Sequence, residues 1–212
     1  MDDFGILILS HGRADNVKTV KLLESRHCTI PWYIVIDDED DQGEAYYDRY
    51  KDRVIVFDKE KYLNQSDTFC PSTDKPRGIV LPARNACFDI AYMNQWKYFI
   101  ELDDDYTNLE YRWPEDGKAK TRKINDLNGL FRAMRNFVDH SGLDVLALAQ
   151  GGDFIGGIHS TGMTNEFLRK MMNVYCFRTD SDIRFYGYIN EDLTASILNG
   201  SRGKCILTYT KA

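Results

Sequence analysis

Apolar residues along this chain fall into short runs, and most of those runs end on a polar or acidic side chain. "FGILILS" (4–10), "PWYIVID" (31–37), "RVIVFD" (53–58) and "KYFIELD" (97–103) each predict a strand buried on both faces, because apolar residues follow one another without alternating. Between them the apolar period lengthens to that of a helix. Val17, Val20 and Leu23 (or Leu22) give a helical stripe over 14–25, and Ala86, Ile90 and Met93 give another over 81–96. A shorter helix is predicted over 43–52, and a loop over 63–78, where two prolines stand among small polar residues. Strand and helix alternate, which predicts an α/β fold with a mostly parallel sheet and helices on both faces.

Beyond residue 110 the pattern is less regular. Residues 111–123, "YRWPEDGKAKTRK", read as a polar excursion, and 124–142 as a helix. "DVLALAQGG" (144–152) reads as a strand running into a glycine-rich stretch, "GGDFIGG" (151–157). "EDLTASILNG" (191–200) predicts a helix with acids in its first turn, where the dipole favours them, and a glycine just past its end. "KCILTY" (204–209) predicts a closing strand. No repeat or linker interrupts the series, so a single domain over residues 1–212 is expected.

Composition narrows the class. With 43% hydrophobic and 28% charged residues, the chain resembles an ordinary globular protein, and 212 residues suffice for one sizeable core. No apolar run approaches the roughly 20 residues that span a bilayer. The start, "MDDFGILILS", is acidic where a secretory leader is basic. Cys28, Cys70, Cys87, Cys176 and Cys205 are odd in number and form no CxxC pair, so free thiols in a reducing, cytoplasmic compartment are expected. A net charge of −6 argues against a protein that coats nucleic acid by charge alone. It leaves room for a local patch such as "KAKTRK" (118–123), with four cations in six residues.

Three of the predicted strands end on Ser10, Asp37 and Asp103. Ligands of open parallel sheets bind outside the carboxyl ends of the strands, so Ser10, Arg13, Asp37, Asp38, Asp103 and Asp105 are expected along one edge. Neither GxxxxGK[ST] nor GxGxxG follows the first strand; "SHGRAD" has a single glycine. Phosphate must therefore be neutralised in another way. Asp103, Asp104 and Asp105 repel one another, and a divalent cation on Asp103 and Asp105 would cancel that charge, with Asp104 pointing away. The plainer reading is a solvated turn. The four histidines form no HxH or HExxH pattern, which argues against a histidine zinc site. Glycines let a backbone approach a ligand closely, so Gly152 and Asp153 are read either as lining the sugar or acceptor side of a site or as part of a simple turn.

The ordered stretches "SHGRADN", "VIDDED", "PARNACFDIA", "FIELDDD" and "NEDLTASILNG", over roughly residues 4–200, resemble the family-two glycosyltransferases of the GT-A (Rossmann-like) fold. "ELDDDY" with "ARNACFDIA" upstream is more narrowly similar to the phage-encoded TET-associated glycosyltransferases. The resemblance implies a UDP-sugar donor, Mn2+ or Mg2+ on the DxD residues Asp103 and Asp105, and an inverting transfer to a hydroxyl. It also implies an acceptor among hydroxymethylated pyrimidines of bacteriophage DNA, and a host cytoplasm as the place of action. Arg84 and Asn85 would lie beside the donor diphosphate and sugar, with Asp103 near the ribose. Asp37 and Asp38 would hold uracil or ribose, and Arg13 would back the diphosphate. Asp192 matches the catalytic base, with Glu191 second. Tyr106, directly after the aspartates, is open to two readings, stacking on an acceptor base or packing in the core. A further histidine ligand from the C-terminus is not supplied by "TYTKA", which points to a C-terminus cut short or a metal completed by water.

An inverting transfer needs one carboxylate to take the proton of the attacking hydroxyl, yet acids in a helix's first turn are also ordinary dipole partners. Two other classes stay open. A nucleotidyltransferase of sugar phosphates uses a similar sheet, but its lysine-bearing glycine loop is absent from "SHGRADN". A non-catalytic nucleic-acid-binding module would use "KAKTRK" and leave the ordered acids unexplained.

Overall fold

The computed structural model describes residues 3–65, 79–164, 169–172, 174–187 and 190–212. The four strands expected in the first half are present as β1 (Phe4–Leu9), β2 (Trp32–Asp37), β3 (Val54–Phe57) and β4 (Tyr98–Asp103). Between them lie α1 (Lys18–Ser25), α2 (Gly43–Tyr50), α3 (Lys59–Asn64) and α4 (Leu81–Met93). α3 falls where the pattern gave no helix; it is capped by Asp58, whose side chain accepts from the Lys61 N–H. Most of the loop expected over 63–78 lies outside the described residues.

α1 begins later than the apolar stripe predicts. Residues 12 to 14 are spoken for by side chains from the next unit. Asp40 accepts from the Gly12 N–H at 2.8 Å, Tyr46 Oη from Arg13 N–H at 2.9 Å, and Gln42 Oε1 from Ala14 N–H at 2.9 Å. Backbone donors satisfied in this way have no need of helical partners.

The second half departs further from the pattern. The polar excursion is a hairpin of β5 (Glu110–Glu115) and β6 (Lys118–Lys123), forming a small sheet of its own. Its turn is Asp116–Gly117, with φ of 50° and 70°. Two consecutive positive φ angles are what a two-residue hairpin turn requires, and Asp-Gly supplies them at low cost. α5 (Leu127–Ser141) starts on an Asp126 cap and stops at Gly142, whose φ of 73° is left-handed. β7 (Val145–Leu148), the short α6 (Thr161–Thr164), β8 (Tyr175–Arg178), α7 (Glu191–Ser201) and β9 (Ile206–Tyr209) complete the chain. Gly200 lies inside α7 and does not end it; the left-handed glycine is Gly203, with φ of 83°.

The main sheet runs β3-β2-β1-β4-β8-β7-β9. All its pairs are parallel except those of β8, which runs against both β4 and β7. Helices cover both faces, as expected. Alternate strand residues Ile6, Ile8, Ile34, Ile36, Ile100 and Leu102 meet α1, Tyr46 of α2, and α5 through Phe131 and Met134. Leu7, Leu9, Val35, Phe99, Val145 and Phe177 face the other way, onto Ala86, Cys87 and Ile90 of α4 and Ala195 of α7. Met93, placed on the apolar stripe of α4 by its spacing, is 70% exposed at the helix end. Within the parallel block the register pairs Leu9 with both Val35 and Asp103, which sets Ser10, Asp37 and Asp103 along one edge.

Candidate active site

A cleft of about 370 Å³ opens at that edge, lined by Ser10, His11, Arg13, Asp37, Lys59, Arg84, Asp103, Asp104 and Asp105 among others. The structure thus brings together most of the polar residues that the strand ends pointed to. Asp38 stands beside the cleft and accepts from the Lys59 N–H at 3.0 Å. Asp37 is buried between two partners, Lys59 Nζ at 3.3 Å and His11 Nδ1 at 2.7 Å.

Asp104 corrects the expectation that it points away. It turns inward beneath the first loop, accepting from Ser10 Oγ at 2.7 Å and from the Arg13 guanidinium at 2.8 Å. Arg13 is therefore held on a carboxylate in this structure. Asp105 is exposed, and Asp103 is half-buried. The Asp103 carboxyl is pushed up by burial, opposed by Arg84 and reinforced by Asp105, Asp104 and Glu191.

Arg84 is the hub of the site, at 3% exposure. Its guanidinium meets Glu101 at 2.6 Å, Asp103 at 3.3 Å and Glu191 at 3.4 Å. The Glu191 approach is a charge contact, since Arg84 Nε has no hydrogen bond among the described residues. Burial alone disfavours the charged guanidinium, but Tyr175, Glu101 and Asp103 outweigh it and Arg84 stays protonated. Glu101 is raised by burial to about 7 despite Arg84 beside it. Its position in the strand "FIELD" was the available signal: a charge amid buried apolar neighbours needs a buried partner.

Asn85, expected at the donor, faces elsewhere. Its amide closes a ring with the Phe185 backbone, donating to the carbonyl at 3.1 Å and accepting from the N–H at 2.9 Å. Both ends are occupied 100 residues away in sequence, which makes it a clamp between α4 and the segment before α7. Gly152 and Asp153 sit in a one-turn 3-10 helix, where Asp153 pairs with Arg169 and accepts from the Gln150 N–H. Neither lines the first cleft. Their neighbours Gln150 and Gly151 line a second cavity of about 340 Å³, which starts at Tyr106, next to the aspartates, and includes Glu110, Arg112 and Met172. Tyr106 is half-buried against the core, and its hydroxyl has no hydrogen-bond partner among the described residues.

Asp192 and Glu191 open α7 after Asn190, whose φ of 55° bends the chain into the helix. Asp192 is buried and paired with Lys170 Nζ at 2.7 Å. Lys170 carried no signal in the sequence, since the segment around it has no periodicity.

Among the described residues no three His, Cys, Asp or Glu side chains converge on a metal position. Asp103 and Asp105 offer only carboxylate oxygens, crowded by like charge. That donor set suits a hard cation completed by oxygens from phosphate and water, as Mg2+ is commonly held.

A mostly parallel α/β sheet with a polar cleft at its carboxyl edge is the architecture of the GT-A fold. The chain belongs to the TET-associated glycosyltransferases, whose family model matches residues 4–212. It is a glycosyltransferase. No curated protein sequence matches it. Among solved structures it is similar to glucosyl-3-phosphoglycerate synthase from Mycobacterium tuberculosis in complex with UDP, with a TM-score of 0.50 and 11% identity over 97% of this chain and 69% of that one. It is also similar to CMP:2-keto-3-deoxy-manno-octonic acid synthetase complexed with CTP, with a TM-score of 0.49 and 10% identity over 97% and 88% of the two chains. At such identities the first likeness carries the fold alone, and the second carries no argument. No helix among the described residues is long and apolar enough to cross a membrane.

Proposed function

We propose that this glycosyltransferase moves a sugar from a UDP-sugar, with inversion, to the hydroxyl of a hydroxymethylated pyrimidine in DNA, using Mn2+ or Mg2+ on Asp103 and Asp105. The observation that carries the reading is the buried Arg84, which joins the aspartate end of β4 to the acidic start of α7. The uridine donor is carried over by analogy of fold from the M. tuberculosis synthase, which is in complex with UDP. When bound, the cation neutralises the charge that builds on the departing diphosphate.

The chain's own residues do the rest. Arg84 holds Asp103 in place and adds fixed positive charge at the cleft floor. Asp192 takes the proton of the acceptor hydroxyl as its oxygen bonds to the anomeric carbon and the bond to UDP breaks. Lys170 holds the Asp192 carboxylate in the resting state and must release it for that step.

The test is a screen of UDP-sugars with manganese, reading UDP release with and without hydroxymethylated DNA. Acceptor-stimulated release is the expected result; no release with any UDP-sugar and acceptor would overturn the reading. Asp105→Asn should abolish metal-dependent UDP binding in calorimetry while the protein stays folded, because removing one of several like charges relieves repulsion. Unchanged affinity with manganese would remove the metal from these residues.

A further inference from the structure

The hairpin β5–β6 places a particular set of side chains on its outer face. Its register pairs Tyr111 with Arg122, Trp113 with Lys120 and Glu115 with Lys118. Residues directly opposite one another in an antiparallel pair share a face. One face therefore carries three cations alternating with two aromatic rings and a single acid. Lys118, Lys120 and Arg122 are exposed, Tyr111 is 41% exposed and Trp113 half-buried. None of the three cations forms an ion pair among the described residues.

The opposite face meets the protein at Glu110 and Arg112, while Pro114, Ala119, Thr121 and Lys123 on it are exposed. Arg112 lies over the Phe154 ring at 4.4 Å, its N–H donates to the Lys211 carbonyl at 2.9 Å, and Glu110 and Arg112 line the second cavity. The hairpin is thus anchored by its inner face, beside the cavity that starts at Tyr106. On its outer face the three cations make no ion pair among the described residues, and Trp113 is partly covered.

We infer that this outer face docks single-stranded nucleic acid, with the cations on successive phosphates and Tyr111 and Trp113 stacking on unpaired bases. The inference rests on the proposed polynucleotide acceptor and names the form in which it is bound. Charge complementarity argues for a polyanion: this face is cationic on a chain of net charge −6. Alternate residues of one strand recur at about 6.8 Å, so the cations form a regular row. The rings argue for a single strand, because a base stacks on a side chain only when it is free of its duplex neighbours.

The test uses the whole protein without donor, titrated into labelled oligothymidylate and into a duplex of equal length, at several salt concentrations. The single strand should bind more tightly than the duplex. Tyr111→Ala and Trp113→Ala should each weaken single-strand binding on the order of ten-fold, with the salt slope unchanged. Trp113→Phe, which keeps a ring, should restore most of the loss, separating stacking from hairpin stability. Replacing Lys118, Lys120 and Arg122 together by alanine should reduce the slope of log K against log salt by about 2, from roughly 0.7 per phosphate contact. Equal affinity and slope in that triple variant would overturn the inference. So would self-association of the wild type, by sedimentation, that disappears in the same variants, because it would give the face to a second copy of the chain. UDP binding, measured separately, tells this failure from failure of the proposed reaction: intact UDP binding with no hairpin effect leaves the donor site standing.

Discussion

At the scale of single residues, the two acids at the start of α7 divide the work differently from what their adjacency implies. Asp192 is buried against Lys170, while Glu191 faces Arg84 and through it Asp103. Asp192→Asn keeps size and removes basicity. Transfer should fall by ~10²–10⁴-fold, the usual contribution of a general base, with UDP-sugar affinity nearly unchanged. Glu191→Gln should cost less in turnover and show instead in donor affinity, through the loss of a charge beside Arg84. Steady-state kinetics of the two variants check this. If Glu191→Gln abolished transfer and Asp192→Asn retained it, Glu191 would be the base; retained transfer in both would refute the proposed step.

At the scale of elements, Asn85 is placed beside the donor by the family resemblance, while in this structure its amide ties α4 to the Phe185 backbone. Asn85→Ala should leave the Phe185 N–H and carbonyl without partners, at about 1–3 kcal/mol per buried group. Denaturant unfolding should show that loss while UDP affinity holds. What was legible in the sequence follows the same line. β1, β2 and β4 announced themselves because nearly all of their residues are buried, whereas β3 at the sheet edge, with Val56 exposed, did so through its apolar run alone; the polar strand ends predicted the cleft. Contacts between residues far apart in sequence, such as Asn85 with Phe185 or Lys170 with Asp192, leave no local pattern. The inward turn of Asp104 depends on Ser10 and Arg13, some 90 residues earlier, so adjacency in "DDD" could not reveal it. The hairpin was legible and passed over: "EDGK" carries an Asp-Gly turn between alternating residues, but its high charge made it read as a solvated excursion.

At the scale of the whole molecule, the sheet consists of two parallel blocks, β3-β2-β1-β4 and β7-β9, which β8 joins by running against both. The aspartates stand on the first block, while α7 packs over the join through Ala195. The join is four residues long and filled by stacked rings: Phe177 lies 5.2 Å from Phe99, 5.2 Å from Tyr175 and 5.0 Å from Phe88. Those rings fill the space between the sheet and the helices on that face, and Tyr175 among them lies under the Arg84 guanidinium at 5.2 Å, so the seating of α4 and α7 rests on this core. Phe177→Leu should cost about 1–2 kcal/mol in stability. It should also lower turnover in the folded protein, because α7, which carries Asp192, is seated on this cluster through Ala195. Amide exchange in β8 should then quicken ahead of that in β1. Turnover unchanged in a folded Phe177→Leu protein would mean that α7 keeps its seat without the full ring cluster.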